Sequence, residues 1–345
     1  MADGAPKSLF SSQKDPLVDP FGRAITYLRL SITDRCDLRC TYCMPERMTF
    51  LPRKDVLSFE EVVRLVGVFV DQGVRRLRLT GGEPLVRRDV DRLLLELGEF
   101  VSPGKLDELT LTTNGVALAR FADTLAKAGI RRINVSLDTL RPDVFERITR
   151  RHRLAEVLDG IEAAQAAGLK VKINTVVLKS ENAGDIPAIV EWAHKSSMDI
   201  SLIEVMPMGD VDEDRRDQFY PLTEVRQGLE TRWKLTPDTY RTGGPSRYHR
   251  IEETGGRIGF ISPLTENFCS GCNRIRLTCT GKLYMCLGQG NETDFRAALR
   301  AGASKSDLSE ILREAITRKP LGHDFEISDR RHGPAVDRAM SVTGG

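Results

Sequence analysis

The chain has 345 residues, 40% of them hydrophobic and 29% charged, with a formal net charge of +2. That length and apolar fraction suffice for a substantial core in one large or two smaller domains. The near-balance of charge gives no reason to expect nucleic-acid or membrane-surface binding, and no apolar run approaches a bilayer-spanning length.

Residues 1–22 are polar, contain prolines and lack the apolar stretch of a signal peptide, so they read as a loose tail on a cytoplasmic protein. Beyond them, strand-like and helix-like segments alternate. Strands are expected at Ile25–Ile32, Val74–Thr80, Glu108–Thr113, Arg131–Leu137, Lys170–Val177 and Ile200–Met206. Helical patterns lie between them at Ser58–Gln72, Arg88–Phe100, Ala117–Ala128, Leu154–Ala167 and Ala183–Lys195, with Ser58 as an N-cap. Gly73, Gly129 and Gly168 follow three of these helices, as C-terminal caps do. Repeated βα units imply a parallel sheet with right-handed crossovers. Six strands are two short of a closed eight-stranded barrel, so the expected fold is a partial, open (βα)6 barrel. In such sheets ligands bind at the carboxyl ends of the strands.

The chemistry-bearing residues follow that rule. Directly after the first strand comes D-R-C-D-L-R-C-T-Y-C-M-P, with Cys36, Cys40 and Cys43 spaced C-x3-C-x2-C. Three thiolates leave one iron of a [4Fe–4S] cubane without a protein ligand, whereas structural zinc takes four. Zinc or scattered core thiols remain the alternatives. After the second strand stands T-G-G-E-P, where Gly81 and Gly82 permit close backbone approach and Glu83 offers an acceptor for an amine. The third strand ends in T-T-N-G, the fourth in V-S-L-D and the sixth in E-V-M-P. The run 210–217 (D-V-D-E-D-R-R-D) reads as a solvated loop or a lid over the barrel mouth.

A second triad, Cys269, Cys272 and Cys286, has the spacing C-x2-C-x13-C and again one ligand too few. Two incomplete triads point to two clusters; zinc shared between them, or disulfides, is the alternative. Seven cysteines, an odd number, suit a reducing compartment, and Cys279 is left over as a small packed residue in a probable strand. The strands also carry cations on one parity: Arg29, the pair Arg76 and Arg78, the pair Lys170 and Lys172, and later Arg274 and Arg276. Either they point outward between helices with packed stems, or they line a cavity suited to a polyphosphate. The absence of G-x4-G-K-S argues against nucleotide hydrolysis of the P-loop type.

On these segments the chain resembles the molybdenum cofactor biosynthesis protein A family, radical S-adenosylmethionine (SAM) enzymes. The matching stretches are L-R-L-S-I-T-D-R-C-D-L-R-C-T-Y-C-M-P, R-L-T-G-G-E-P-L-V-R, L-T-T-N-G, R-R-I-N-V-S-L-D, I-E-V-M-P-M-G and F-C-S-G-C-N-R-I-R-L with K-L-Y-M-C-L. They span about 25–287, and the chain ends in Gly344-Gly345. The resemblance implies a barrel at 23–210 and, at 211–345, a C-terminal extension carrying a second cluster over the open side. It implies two [4Fe–4S] clusters on the two triads, with SAM lined by Tyr42, Gly82, Ser136 and Met206. GTP would be surrounded by Arg29, Arg78, Thr112, Lys172, Arg274, Ile275 and Arg276, and the Gly344-Gly345 tail would insert towards the active site. The implied reaction is abstraction of the ribose 3′ hydrogen of GTP by a 5′-deoxyadenosyl radical, then attack of C3′ on guanine C8. The product would be 3′,8-cyclo-7,8-dihydro-GTP. The implied partners are an electron donor protein, the downstream cyclic pyranopterin monophosphate synthase and a second copy in a homodimer.

One position departs from the family pattern. Ser201 stands where an arginine is expected as a triphosphate contact, with Lys170 or Arg76 as substitutes. Two other readings are a peptide-modifying radical SAM maturase and a zinc-holding scaffold. The first usually has a longer, cysteine-rich C-terminal module, and the second would be colourless.

Overall fold

The computed structural model describes residues 16–209, 211, 217–325, 336 and 338–344. The expected lid at 210–217 and Gly345 therefore lie largely outside the described residues, as do residues 1–15 of the expected tail. Residues 17–22 are built into the fold: Leu17 and Asp19 are buried, and Val18 forms a β-bridge with Ala24. Asp19 is ion-paired with Arg23 at 2.5 Å, so this segment corrects the expected tail boundary.

Six βα repeats follow. They comprise β1 (Tyr27–Ser31), α1 (Phe59–Asp71), β2 (Arg76–Thr80), α2 (Val90–Gly98), β3 (Glu108–Thr113) and α3 (Leu118–Lys127), then β4 (Arg132–Ser136). The crossover after β4 holds two helices, α4 (Pro142–Thr149) and α5 (Leu154–Ala166), before β5 (Lys170–Val177), α6 (Ile186–Lys195) and β6 (Asp199–Glu204). The sequence reading missed α4, a short helix entered through Pro142 at its first position. Ser58 caps α1 as expected, in a reciprocal capping box with Glu61. Gly73, Gly129 and Gly168 sit at φ of +105°, +75° and +82° after their helices, a region glycine enters without steric cost.

The rest of the chain adds α7 (Leu222–Glu230), β7 (Leu235–Pro237), β8 (Arg247–Ile251), β9 (Arg257–Ile261), β10 (Arg274–Leu277), β11 (Lys282–Tyr284) and β12 (Glu292–Asp294). Three helices follow: α8 (Phe295–Arg300), α9 (Lys305–Thr317) and α10 (Met340–Thr343). Among the described residues, twelve strands form one sheet in the order β12-β11-β10-β1-β2-β3-β4-β5-β6-β9-β8-β7. The six expected strands are parallel, and β10 and β9 extend the parallel row at its two ends by pairing with β1 and β6. Side chains of β1, β2, β4, β5, β6, β9 and β10 line one cavity, so the sheet curls into an open barrel.

Alternation along each strand explains both faces. Leu28, Leu30, Leu77, Leu79, Leu109, Leu111, Ile133, Val135, Ile173, Ile200 and Leu202 are wholly or almost wholly buried and belong to one apolar core. Their neighbours in sequence are polar and face the barrel interior. A parallel sheet covered by helices on both faces would be apolar throughout; here one face encloses a polar cavity instead. Among the described residues no helix is long and apolar enough to cross a membrane.

Candidate active site

The first cysteine triad lies on the loop leaving the C-terminal end of β1. The loop is tied down by backbone bonds: Arg39 and Thr41 donate to the carbonyls of Thr149 and Ile148 at the end of α4, both at 2.9 Å. Gly82 and Glu83 donate to the carbonyls of Thr33 and Arg35 at 2.8 and 2.7 Å. A Cβ on Gly82 would sit 2.3 Å from the Arg35 carbonyl oxygen, and one on Gly81 would sit 2.3 Å from that of Thr33. The close approach these glycines allow is therefore to the chain's own cysteine loop. Glu83 is fully buried and accepts from the Leu85 amide at 3.0 Å, the Thr113 hydroxyl at 2.8 Å and the Asn114 amide at 2.6 Å. Burial nevertheless pushes it up to about 7. Its oxygens brace the site from within, where an acceptor for a charged amine was expected.

Cys36, Cys40 and Cys43 are free thiols. Cys36 Sγ accepts from the Leu38 amide at 3.4 Å and from the Asn114 side-chain amide at 3.7 Å. Such N–H···S contacts are the outer-shell donors that iron-bound thiolates use. Burial, with Glu83 next, pushes the Cys36 thiol up to about 12, and burial raises Cys40 well above its usual range. Anionic thiolates here need a cationic centre to compensate them. Among the described residues no three Cys, His, Asp or Glu side chains converge tightly enough for a single metal ion. The loop offers three cysteines, one ligand short of a closed zinc tetrahedron and suited to a cubane with one open iron.

The second triad lies at the opposite end of the barrel. Cys269 and Cys272 precede β10, which runs parallel to β1, and Cys286 follows β11, which is antiparallel to β10. One strand of about 3.3 Å per residue separates the two triads in the β1–β10 direction. Here the donors are charged: Lys319 Nζ and Arg274 Nη2 lie 3.8 and 3.7 Å from Cys272 Sγ. Burial pushes the Cys272 thiol up, but Arg274 and Lys319 outweigh it and bring it down to about 7. Arg23 pins the loop by donating to the Cys269 carbonyl at 2.7 Å. Both triads thus fit iron–sulfur clusters. Cys279 is buried in the turn after β10 and not within a strand, and it packs as expected of a leftover thiol.

Beside the second triad lies a cavity of about 1090 Å³, its open mouth included. Arg29, Arg78, Lys172, Arg274 and Arg276 line it together with Cys269, Cys272 and Cys286, and none of the described lining residues is an Asp or Glu. Arg78 Nε donates to the Tyr27 hydroxyl at 2.6 Å and its Nη1 to Thr112 Oγ1 at 3.3 Å. Thr112 therefore backs Arg78 from behind. Burial, then Arg276 and Arg78, holds Arg29 well below the usual arginine range, and burial with Arg274 lowers Arg276 to about 9. Arg29 Nε has no partner. Ile275 alternates to the other face and is fully buried in the core, so of that trio only Arg274 and Arg276 present side chains to the cavity.

Lys170 is exposed at the N-terminal start of β5, and Arg76 lies half-buried against Gly243 at the start of β2. Neither lines the cavity, so neither replaces the arginine missing at Ser201. Of the residues expected around SAM, Met206 lines the cavity, Ser136 ends β4, Gly82 abuts the cysteine loop, and Tyr42 donates to Asp138 Oδ2 at 2.8 Å. The Gly344 carbonyl accepts from Arg276 Nη1. Its φ is +74°, and a Cβ there would lie 1.9 Å from Thr80 Oγ1, so the tail reaches the barrel wall where only glycine fits.

Two family models match the chain: "Radical SAM superfamily" over residues 30–193 and "Molybdenum Cofactor Synthesis C" over residues 198–325. The GTP 3′,8-cyclase of Rhizobium meliloti (strain 1021) is 61% identical over 330 residues, 96% of this chain and 95% of that protein. The chain belongs to the GTP 3′,8-cyclase family. The GTP 3′,8-cyclase of Brucella ovis is 59% identical over 334 residues, 97% of either chain. Among solved structures, Streptococcus suis SuiB bound to its precursor peptide SuiA superposes with a TM-score of 0.60 at 17% identity. The match covers 87% of this chain and 67% of that one. At that identity the likeness shows the radical SAM fold alone.

Sequence reasoning overlooked several residues of this cyclase's cavity. Asn134 and Asn174 line it, and each has a buried, unpartnered Oδ1. They lie on the same strand parity as the cations, the one signal that could have found them. Tyr27 was likewise readable by parity. Lys319, Arg23 and Tyr248 come from loops or late strands whose placement no local pattern announces.

Proposed function

We propose that the cation-lined cavity of this radical SAM enzyme holds GTP during its cyclisation, the first step of molybdenum cofactor biosynthesis. The observation that carries this reading is the presence of five cations without a carboxylate in one cavity bounded by the second triad. Like charges packed together out of water favour an anion, and Arg and Lys suit phosphate oxygens. The phosphate chain of GTP meets Arg29, Arg78, Lys172 and Arg276, and Arg274 stands beside the second triad.

Cys36, Cys40 and Cys43 hold the [4Fe–4S] cluster that works with SAM, and Cys269, Cys272 and Cys286 hold the second. Tyr42, Gly82, Ser136 and Met206 surround SAM at the C-terminal ends of the strands. When bound, these cofactors supply one-electron reduction of SAM and the radical that removes the ribose 3′ hydrogen. The protein's residues hold the ribose between the two triads, exclude water and fix the nucleotide at both ends. Gly344 caps the cavity against Arg276. Bond formation between C3′ and C8, with uptake of one electron and one proton, gives a product isomeric with GTP. Residues 23–210 form the barrel unit and 211–345 the unit that closes it. An electron donor protein supplies the reducing equivalents, and cyclic pyranopterin monophosphate synthase consumes the product. A homodimer is consistent with this arrangement.

Anaerobic single turnover with both clusters reconstituted, SAM, GTP and dithionite tests the reading by mass spectrometry. Equimolar 5′-deoxyadenosine and a GTP isomer are expected. Deoxyadenosine with unchanged GTP would reassign the cavity to another anion.

A further inference from the structure

Lys172 stands in the cavity wall with 9% of its surface exposed. Its Nζ donates to Ser201 Oγ and to the Tyr248 hydroxyl, each at 3.2 Å. Ser201 Oγ shares a further hydrogen bond with Ser246 Oγ at 3.0 Å. The three hydroxyls come from β6, β8 and the residue just before β8, elements far apart in sequence. Strand register gathers them: Ser201 and Tyr248 both lie opposite Gly259 of β9. A methyl group on Gly259 would fall 2.1 Å from Ser246 Oγ, 2.8 Å from Ser201 Oγ and 2.9 Å from Tyr248 Cε1. The cluster occupies the space that this glycine leaves.

Both hydrogen-bond partners of Lys172 are neutral, and the Asp199 carboxylate acts on it only through space. Buried cations are ordinarily paired with a carboxylate, as the Arg132 guanidinium is with Glu108. Hydroxyl acceptors fix the direction of an ammonium without cancelling its charge. Arg78 is held in the same way by Tyr27 and Thr112. An ammonium has three donors; two are taken by Tyr248 and Ser201, and the third is left for the cavity that Lys172 lines. Tyr248 is itself buried and packs edge-on against Tyr240 at 5.1 Å, which fixes its ring.

We propose that Tyr248, with Ser201 and Ser246, is a positioning residue that aims the Lys172 ammonium at the phosphate chain of GTP. The proposal rests on the assignment of this cavity to GTP. Tyr248→Phe keeps the ring and removes the hydroxyl. Dissociation constants of reconstituted enzyme for GTP, GDP, GMP and guanosine, with KM and kcat for GTP, give the readout. The variant should weaken GTP about five- to tenfold, the net worth of one ordinary hydrogen bond. KM should rise several-fold more than kcat falls, and the loss should vanish for guanosine. Equal weakening along the whole series, or none for GTP, would overturn the proposal, because a merely structural role does not follow the phosphates. If Tyr248→Phe does not fold, Ser246→Ala decides the matter by the same pattern at smaller size. Lys172→Met separates the two levels: unchanged GTP affinity there refutes the phosphate placement itself. Weakened GTP in Lys172→Met with intact affinity in Tyr248→Phe refutes the positioning role alone.

Discussion

Lys172 carries a charge that its surroundings disfavour. Burial, with Arg78 contributing, lowers its affinity for a proton below that of an ordinary lysine, while Tyr248 works in the other direction. The protonated form is the one that attracts phosphate. GTP affinity should therefore be steady near neutrality and fall as pH rises through the lowered pKa of Lys172, earlier than a solvent-exposed lysine would allow. Equilibrium binding across pH checks this, and Lys172→Met should flatten that limb. Cys279 makes the opposite case, a thiol outside both triads. Burial pushes it up to about 12, and it sits almost wholly within the fold. Cys279→Ala should leave the bound iron unchanged and cost about 1 kcal/mol of stability for the small cavity it creates. Loss of iron in that variant would make it a ligand after all.

At the scale of elements, the turn after β2 and the cysteine loop after β1 form one unit. Gly82 touches the Arg35 backbone, and Glu83 is locked by the strand end at Thr113 and Asn114. Gly82→Ala would force the cysteine loop outward, since its new methyl would meet backbone atoms that cannot rotate away. Iron and sulfide analysis should show roughly half the iron lost, with the second cluster retained. Retention of full iron would mean that the loop has more room than the geometry allows. The helices tell a simpler story: capped starts and glycine stops, as in α1 with Ser58 and Gly73, were legible because local sequence decides them. The helix α4 was missed because eight residues give too few turns for a periodic pattern.

At the scale of the whole molecule, the parallel row β10-β1-β2-β3-β4-β5-β6-β9 places the two triads at opposite ends of the strands, the second of them in the cavity wall. The clusters are thereby structurally independent. Cys272→Ser should abolish formation of the GTP isomer while the first cluster still loads and dithionite still drives some cleavage of SAM. Electron paramagnetic resonance of the reduced variant, read beside deoxyadenosine release, checks both halves. Disappearance of both cluster signals would show that the triads fold together and not separately.

The sequence by itself determined the six βα repeats, both cysteine triads, the leftover thiol and the parity that puts the cations on one face of each strand. These follow from local periodicity, capping and spacing, which act within a few residues. Only tertiary structure decided that β9 and β10 complete the parallel row, because pairing across more than fifty residues leaves no local mark. It also decided that Glu83 is spent on internal bracing, that Ile275 faces the core, and that Lys170 and Arg76 stand away from the cavity. The hydroxyls around Lys172 belong to the same class: Ser201, Ser246 and Tyr248 meet because strand register and one missing side chain at Gly259 bring them together. Parity tells which face a residue takes; curvature of the sheet and register between distant strands tell what it meets there.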